Sequence, residues 1–527
     1  MTVDLTTLGF LSSCTEAFLN KDQKLLELIP ETHPFHSIEN AINGKLNFDK
    51  NKRKTLVDVI KKQYENIIVK DDVKVIDNIN LLLDENTFTV NTGQQLHLFL
   101  GPAFVIYKII STIKAAESYK LKFPDKNFVP IFWLASEDHD FDEIKNTFIF
   151  GETYEWKTNQ SGAIGKYTLE GINALFVELE SRFEKDKNAL KIIADFKQFY
   201  TSSETLSQAT IKLVHFCFKK YGIVCLDANE HKLKSYFSPI IKAELLEGNT
   251  KLLFDSFSEN LKTNELSLQL KARPINLFYL SNNLRSRIEK VGDEYVIQNT
   301  ELKYSEKEIL TLLENEPERF SPNAVLRAIY QETILPNAAY IAGNAELNYW
   351  IQLTDVFKEN NISAPSIILR QSAWFSSPKI YDWLESKQID IVNLFKAESK
   401  KEILALFKKE DKNEFEDCIN EFELFKIKIQ NLTAKEIGTE LKNLVETNKE
   451  YVKRLNQLVS KKQTILEEKY QKDIIKLEQI KSQGLSQKNI QERTKYSIEF
   501  LIKMPNFIEI CFNNLEFCPK FGYFLSI

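Results

Sequence analysis

Cysteine is scarce and scattered. Six occur among 527 residues, at Cys14, Cys217, Cys225, Cys418, Cys511 and Cys518. None forms a C-x-x-C pair or stands at zinc-finger spacing from histidines, so the usual signatures of a structural zinc site or dithiol redox centre are missing. Such thiols fit a reduced, cytosolic setting. An excess of positive charge is also absent: 69 basic against 74 acidic residues leave a net charge of -5, no footprint for nucleic acid or an anionic membrane. The local basic run Lys50–Lys54 is flanked by Asp49 and Asp58 and reads as a solvated helix face. The first ten residues carry Asp4 and no basic n-region, unlike a secretory signal. No apolar run is long enough to span a bilayer. Neither G-x-x-x-x-G-K-[ST] nor G-x-G-x-x-G is present. The expectation is a cytoplasmic protein with neither nucleic acid nor membrane as partner.

What is present is a large apolar fraction, 43% against 27% charged residues, on a chain too long for one ordinary core. Residues 1–80 read as mostly helical, with Asn51–Lys70 an amphipathic helix. Thr87–Asn91 is a β-prone run, Ala103–Tyr119 a helix, and Asn127–Ala135 a buried strand in which Pro130 is unexpected. Strand, helix and strand in that order make a βαβ unit with parallel pairing. Gly222–Leu226, Ile275–Leu280, Ala338–Ala342 and Pro365–Leu369 are further candidates for the same parallel sheet. Gly151–Ser203 reads as an insertion. Between Pro378 and Pro505 there is no proline. Leu441, Leu444, Tyr451, Leu455, Leu458 and Ile465 follow a heptad-like spacing, and Leu466, Tyr470, Ile474 and Leu477 continue it in a shifted phase. This predicts a long helix or helical hairpin, a coiled coil with a stutter, whose simplest partner is a second copy of the chain.

Four clusters carry candidate chemistry. Thr92, Gly93, Gln94 and Gln95 follow a strand; glycine permits close approach and the carboxamides both donate and accept. Gly101 and Pro102 open the next helix, whose N-terminus suits an anion. A well-made strand–helix loop explains these six residues about as well. Glu137, Asp138, His139 and Asp140 end the buried strand, where α/β sheets place ligands. They suit general acid–base work, a substrate amine or a divalent metal, and alternation puts Asp138 and Asp140 on one side. A polar loop with a helix cap is the plain alternative. Asn323, Arg327 and Gln331 form a third group, Arg327 being able to clamp a carboxylate or phosphate; a capped helix with a surface arginine is nearly as good a reading. Gly343 and Glu346 follow another strand candidate, with Tyr349 and Trp350 read as core. Lys271–Arg273, Arg285 and Arg287 are equally readable as solvated.

These clusters resemble the BshC family of bacillithiol biosynthesis. The resemblance rests on T-G-Q-Q at Thr92–Gln95 with G-P at Gly101–Pro102 and Y-K at Tyr107–Lys108. It also rests on V-P-I-F-W-L-A-S-E-D-H-D at Val129–Asp140, and on F-S-P-N at Phe320–Asn323 with Arg327, Gln331, Leu335–Pro336 and A-Y-I-A-G at Ala339–Gly343. Q-E-R at Gln491–Arg493 also matches. Ala328, where proline is usual, and Asn344, where proline or glycine is usual, depart from the pattern. The resemblance implies an α/β fold: a Rossmann-like parallel-sheet core, akin to class I synthetases and nucleotidyltransferases, over 1–385 with the insertion near 151–203. It implies a helical coiled-coil dimerisation domain over 386–505 and a C-terminal segment over 506–527. The implied reaction is a ligase step joining the cysteine carboxyl to the amine of glucosaminyl-malate, giving bacillithiol. Activation by ATP, with magnesium, would accompany it, although neither a K-M-S-K-S-like loop nor H-I-G-H is present. In this reading His139 is the general base, Asp138 or Asp140 orients it, and Gln94, Gln95, Asn323 and Arg327 position substrates. A non-catalytic dimeric scaffold and an acyl transferase for another amino sugar are the competing readings.

Overall fold

Helix α1 (Lys50–Gln63) buries Leu56, Val57, Val59 and Ile60, and Asp49 caps it by accepting from the Asn51 and Lys52 N–H groups. It ends at Gln63 rather than Lys70. Tyr64 leaves the helical register to turn its hydroxyl inward, where it accepts from the Cys225 N–H at 2.8 Å. The basic run in α1 is only partly solvated. Lys50 and Lys54 are exposed, whereas Arg53 is buried. Its guanidinium donates to the carbonyls of Leu82, Glu85 and Thr87 at 3.2, 3.2 and 2.9 Å, because a charge taken out of water must find acceptors. The computed structural model describes residues 1–407, 424, 438–488, 490–518 and 520–526; of these, the side chains of 438–449, 451, 452, 455, 459, 462 and 463 lie outside the description.

Strand β1 (Thr87–Gln94), helix α2 (Phe104–Lys122) and strand β2 (Asn127–Leu134) form the βαβ unit, with Thr87 opposite Asn127 and Gln94 opposite Leu134. Thr92, Gly93 and Gln94 are thus the end of the strand rather than a loop after it. Pro130 fits because of its side of the ladder. The N–H groups of Asn127 and Ala135 point to the β1 side, so by the period of two Pro130 faces away from β1. Beyond β2 comes the short helix α3 (Phe141–Ile144), and then a hairpin and three helices lead to β3 (Val224–Asp227), whose pairing with β2 begins only at Ile131. No N–H is therefore missed. Residues 151–203 supply no strand to this sheet.

The next strands build a different sheet. β4 (Leu277–Ser281), β5 (Leu284–Val291), β6 (Glu294–Ile297), β7 (Lys303–Ser305) and β8 (Phe320–Pro322) are antiparallel in the order β7-β6-β5-β4-β8. The run Ile275–Leu280 therefore does not join the parallel sheet. Asn282-Asn283 links Ser281 to its partner Leu284, and Gly292-Asp293 links Val291 to Glu294; two-residue connections of these types fold a strand back on itself. After helix α4 (Ala324–Ile334) the chain returns to the first sheet with β9 (Asn337–Ala342), helix α5 (Asn344–Gln352) and β10 (Ser366–Leu369). The parallel order is β10-β9-β1-β2-β3. Chain order reverses between β9 and β1, and a crevice opens at such a switch point. One face of the sheet packs Phe88, Val90, Phe128, Ala339 and Ile341 against Ile38, Ile42, Ala115, Ala116 and Tyr119.

All of this belongs to one compact unit, made of Met1–Thr6, Phe10–Ala373 and Glu492–Phe524. The second consists of Thr7–Gly9, Trp374–Gln491 and Leu525–Ile527. These divisions fall at 373/374 and 491/492, and residues 506–524 group with the sheet unit. In the second unit helix α6 (Gly438–Ser482) runs for 45 residues, about 67 Å. Its last turns are covered within the unit: Ile474, Leu477 and Ile480 are buried, and Phe407 stacks on Tyr470 at 4.6 Å. Lys481 donates to the Leu394 carbonyl at 2.8 Å. Leu458 and Ile465 are exposed, and the side chains of Leu441, Leu444, Tyr451 and Leu455 lie outside the described residues. A coiled-coil pairing is thus not among the contacts of the single chain. No helix among the described residues is long and apolar enough to cross a membrane.

Arg53→Met is expected to leave three carbonyls unpaired at the entry to β1 and to cost about 2–4 kcal/mol. Urea unfolding monitored by circular dichroism measures it; a loss under about 0.5 kcal/mol would mean that solvent replaces the guanidinium.

Candidate active site

The crevice at the ends of β1, β2 and β9 holds a cavity of about 520 Å³. Its floor is Gly93, Gln94, Gln95, Trp133 and Ala135; α4 contributes Arg327, Ala328 and Gln331, and the first turn of α5 contributes Gly343, Asn344, Ala345 and Glu346. Asp138, Glu143, Lys108, Arg370 and Arg493 complete its charged lining. α5 starts at a glycine cap, so no cap side chain takes up its first N–H groups, and its positive end faces the cavity.

Lys108 sets the geometry. It lies on α2, fully buried, and its Nζ donates to the Gly93 carbonyl at 2.6 Å, to Gln94 Oε1 at 3.3 Å and to Glu346 Oε1 at 2.7 Å. Burial lowers its pKa, and the Glu346 carboxylate opposes that shift. Glu346 also accepts from the Gly343 N–H at 2.7 Å and the Tyr340 hydroxyl at 3.2 Å. One ammonium thus fixes the end of β1 to the start of α5.

The four-residue cluster after β2 divides its labour. Glu137 turns away to Lys234, at 2.8 Å, whose Nζ also donates to the Phe320 carbonyl at 2.9 Å. Asp138 faces the cavity and accepts from Gln95 Nε2 at 3.1 Å and from the His139 N–H at 2.8 Å. Arg285 and Arg327 stand 3.6 and 3.9 Å from it. Burial opposes its ionisation, but the two guanidiniums and the His139 backbone N–H outweigh burial and hold the carboxyl far below the ordinary range. His139 is about half-exposed, at 48%. Its Nδ1 lies 2.8 Å from Arg285 Nη1 and 3.5 Å from Asp138 Oδ1. A guanidinium only donates, so the Nδ1 lone pair is engaged and the ring proton sits on Nε2. Asp140 is exposed and makes no side-chain cap bond to α3.

The structure therefore gathers Gly93, Gln94, Gln95, Asp138, Arg327, Gln331, Gly343 and Glu346 in one cavity, although they span most of the sheet unit. It does not place the remaining candidates there. Thr92 spends its hydroxyl on the Ile341 carbonyl at 2.8 Å. Gly101 and Pro102 do not present a free helix start: the Ala103 N–H donates to Lys495 O and the Ser497 N–H to Gly101 O. Asn323 caps α4 and donates to Asn276 Oδ1 at 2.8 Å. Glu137, His139 and Asp140 are outside the lining, so the general-base expectation for His139 gives way to a lone pair already occupied. Among the described residues no three His, Cys, Asp or Glu side chains converge as metal ligands.

The sequence offers Lys108 and Arg493 only as parts of matching motifs and does not single out Glu143 or Arg370, while Arg285, equally readable as solvated, is buried. Arg370 is bidentate to the buried Glu492, at 3.0 and 2.6 Å. A signal existed for Arg285: the Asn282-Asn283 turn makes it the second residue of a returning strand, one face of which must be buried.

Comparison with known proteins decides the family. Residues 1–371 match the family profile described as "Bacillithiol biosynthesis BshC, N-terminal Rossmann-like domain". The chain belongs to the BshC family. A relative from Flavobacterium johnsoniae is 39% identical over 396 residues, 74% of this chain and 73% of the relative. One from Cytophaga hutchinsonii is 35% identical over 472 residues, 88% and 87% of the two chains. One from Flavobacterium psychrophilum is 40% identical over 370 residues, 69% and 68%. All three carry the name "Putative cysteine ligase BshC". The two departures from the BshC pattern, Ala328 and Asn344, both line the cavity, and Asn344 Oδ1 is used to accept the Ser12 N–H at 3.1 Å.

Asp138 gives this site a pH signature. Its folded pKa is depressed, so its contribution to stability is complete above the unfolded value, about 3.9, and is lost as pH falls below it. The stability gap between the parent and Asp138→Asn should therefore narrow between pH 6 and pH 3 in urea unfolding. A gap that stays constant over that range would show that the carboxylate charge is not what the two arginines stabilise.

Proposed function

We propose that the chain is the cysteine-adding ligase of bacillithiol biosynthesis, joining the cysteine carboxyl to the amine of glucosaminyl-malate in the cytoplasm. Family membership and the names of the relatives support a ligase. The cation count of the cavity supports the acceptor. Lys108 is matched by Glu346 and Arg370 by Glu492. Arg285 and Arg327 share the single carboxylate Asp138, neither closer than 3.6 Å, and Arg493 stands beside a Glu492 already claimed by Arg370. Two guanidinium charges are left without a carboxylate of their own; against them the cavity holds one uncompensated carboxylate, Glu143, so the net excess is a single positive charge, which suits a carboxylate of malate. This is the observation that carries the reading. A scaffold with a degenerate cleft would have no reason to keep buried charges so paired.

A free carboxylate does not acylate an ammonium, so the reading includes ATP as the activator, supplying a phosphate or adenylate leaving group on the cysteine carboxyl. The residues that fit an anion of that kind are the open start of α5, Arg327 and Arg493; Gly101 and Pro102 do not. Gln95 and Gln331 keep their carboxamide oxygens buried and unpaired at this cavity, so each suits a ligand hydroxyl or ammonium proton. Incubation of the purified protein with cysteine, ATP and glucosaminyl-malate should give bacillithiol, identified by mass. Arg327→Ala should raise KM for glucosaminyl-malate about 10–100-fold. No product from the parent protein would remove the reading, and an unchanged KM would remove Arg327 from it.

The active form is proposed to be a homodimer formed through α6. The stripe in its shifted phase is covered within the chain, whereas Leu458 and Ile465 of the first phase are exposed. Burying a leucine is worth roughly 1.5–3 kcal/mol, so Leu458→Glu with Ile465→Glu should give monomer at micromolar concentration in sedimentation equilibrium. A double variant that stays dimeric, or a monomeric parent, would show that this stripe is not an interface.

A further inference from the structure

Three carboxylates line the cavity, and they differ in what holds them. Glu346 is ion-paired to Lys108 at 2.6 Å and accepts from a backbone N–H and a phenol. Asp138 is surrounded by two guanidiniums, a carboxamide and a backbone N–H. Both carboxylates have their oxygens taken up by fixed donors, and the pKa of Asp138 is held well below the ordinary carboxyl range. Glu143, on α3, has no cation at ion-pair distance among the described residues. The nearest basic residue in sequence, Lys145, is committed to Asp142 and Glu155 at 2.8 and 3.0 Å. The Gln95 carboxamide, which binds Asp138 at 3.1 Å, also lowers the pKa of the Glu143 carboxyl.

We infer that Glu143 is the general base of the ligase, the group that removes the proton from the incoming amine. The inference rests on the function proposed above. Asp138 and Asp140 are the charges that face Glu143, and both repel its anion. Partial burial, together with these two carboxylates, raises its pKa above the ordinary carboxyl value, the Gln95 hydrogen bond opposing. His97 and Tyr496 also border it. His97 is pushed down to about 4 by burial and stays neutral, and the Tyr496 phenol is raised. No titration near Glu143 therefore masks its own. In the step itself the ammonium gives one proton to the Glu143 carboxylate, and the free amine nitrogen so formed makes the N–C bond to the activated cysteine carboxyl. The C–O bond to the phosphate-type leaving group breaks, and that group departs with the electron pair and takes up the second proton shed by the nitrogen as the amide forms. The carboxylic acid so formed returns its proton to solvent through the open side of the cavity. Asp138 remains charged throughout, and by holding Gln95 it keeps the carboxamide in place against Glu143.

The test is the pH dependence of Glu143→Gln beside Glu143→Asp, using the full chain with cysteine, ATP and glucosaminyl-malate. A base lets the protein use the ammonium form of the substrate; without it only the free amine reacts. Glu143→Gln should therefore lose about 10²-fold or more in kcat/KM at pH 6, and the deficit should shrink as pH approaches the pKa of the amine. Glu143→Asp should restore part of the low-pH rate. The Kd for glucosaminyl-malate, by calorimetry, should stay within about twofold in both variants. A Glu143→Gln deficit that is the same at every pH, or absent, overturns the assignment while leaving the ligase reading standing. A parent protein that forms no amide overturns both.

Discussion

A single buried ammonium organises this site. Lys108 sits where three elements meet, and removing it from water is tolerable only because its donors are taken up by the Gly93 carbonyl, the Gln94 side chain and Glu346. Unpaired, such a charge would cost several kcal/mol. That requirement fixes the spacing of the crevice. The end of β1 cannot drift from the start of α5 without stranding either the ammonium or the carboxylate, and Glu346 in turn pins Gly343 and Tyr340. The glycine at the head of α5 keeps its N–H groups clear of any cap side chain. The cavity is therefore held open by a charge pair in its wall.

The second constraint comes from the other sheet. Arg285 enters from β5, and Lys234 reaches the Phe320 carbonyl of β8 while pairing with Glu137. Both cations meet the acidic end of β2: Arg285 comes from the antiparallel sheet and Lys234 from a short helix held to that sheet through the Phe320 carbonyl, and together they supply counter-charge to Glu137 and Asp138. This sorts the acids. Those with a partner become fixed charges that shape the field; those without one keep the capacity to exchange protons. Proximity in sequence says nothing about which is which, because the partners arrive from residues about 90 to 190 positions away.

Much of the fold was legible. The βαβ unit, the strands around 224, 339 and 367 and the long polar helix all follow from apolar periodicity, the signal that survives best in a single sequence. The failures have causes. Ile275–Leu280 has the composition of a buried parallel strand, and only the Asn282-Asn283 and Gly292-Asp293 turns reveal the hairpins. Asn51–Lys70 keeps helical spacing beyond Gln63, yet Tyr64 gains more by reaching the Cys225 N–H. In α6 the last turns find partners inside their own unit, where Tyr470 stacks on Phe407 and Ile474 and Leu477 are buried.

The site was legible by location and less so by role. Being at the end of a buried strand pointed to Asp138, and the T-G-Q-Q run to Gln94 and Gln95, because backbone topology alone sends those positions to the crevice. Roles depend on which lone pairs and protons are already spent, which is a property of the folded neighbourhood. His139 is the residue type most often used for proton transfer and sits beside the right acids, so sequence reasoning favours it; one guanidinium from a distant strand takes its lone pair. Glu143 reads as an ordinary acid in the first turn of a short helix, and nothing local marks it. What marks it is the absence of a cation where the other two carboxylates of the cavity, Asp138 and Glu346, have one, and that comparison exists only once the chain has folded.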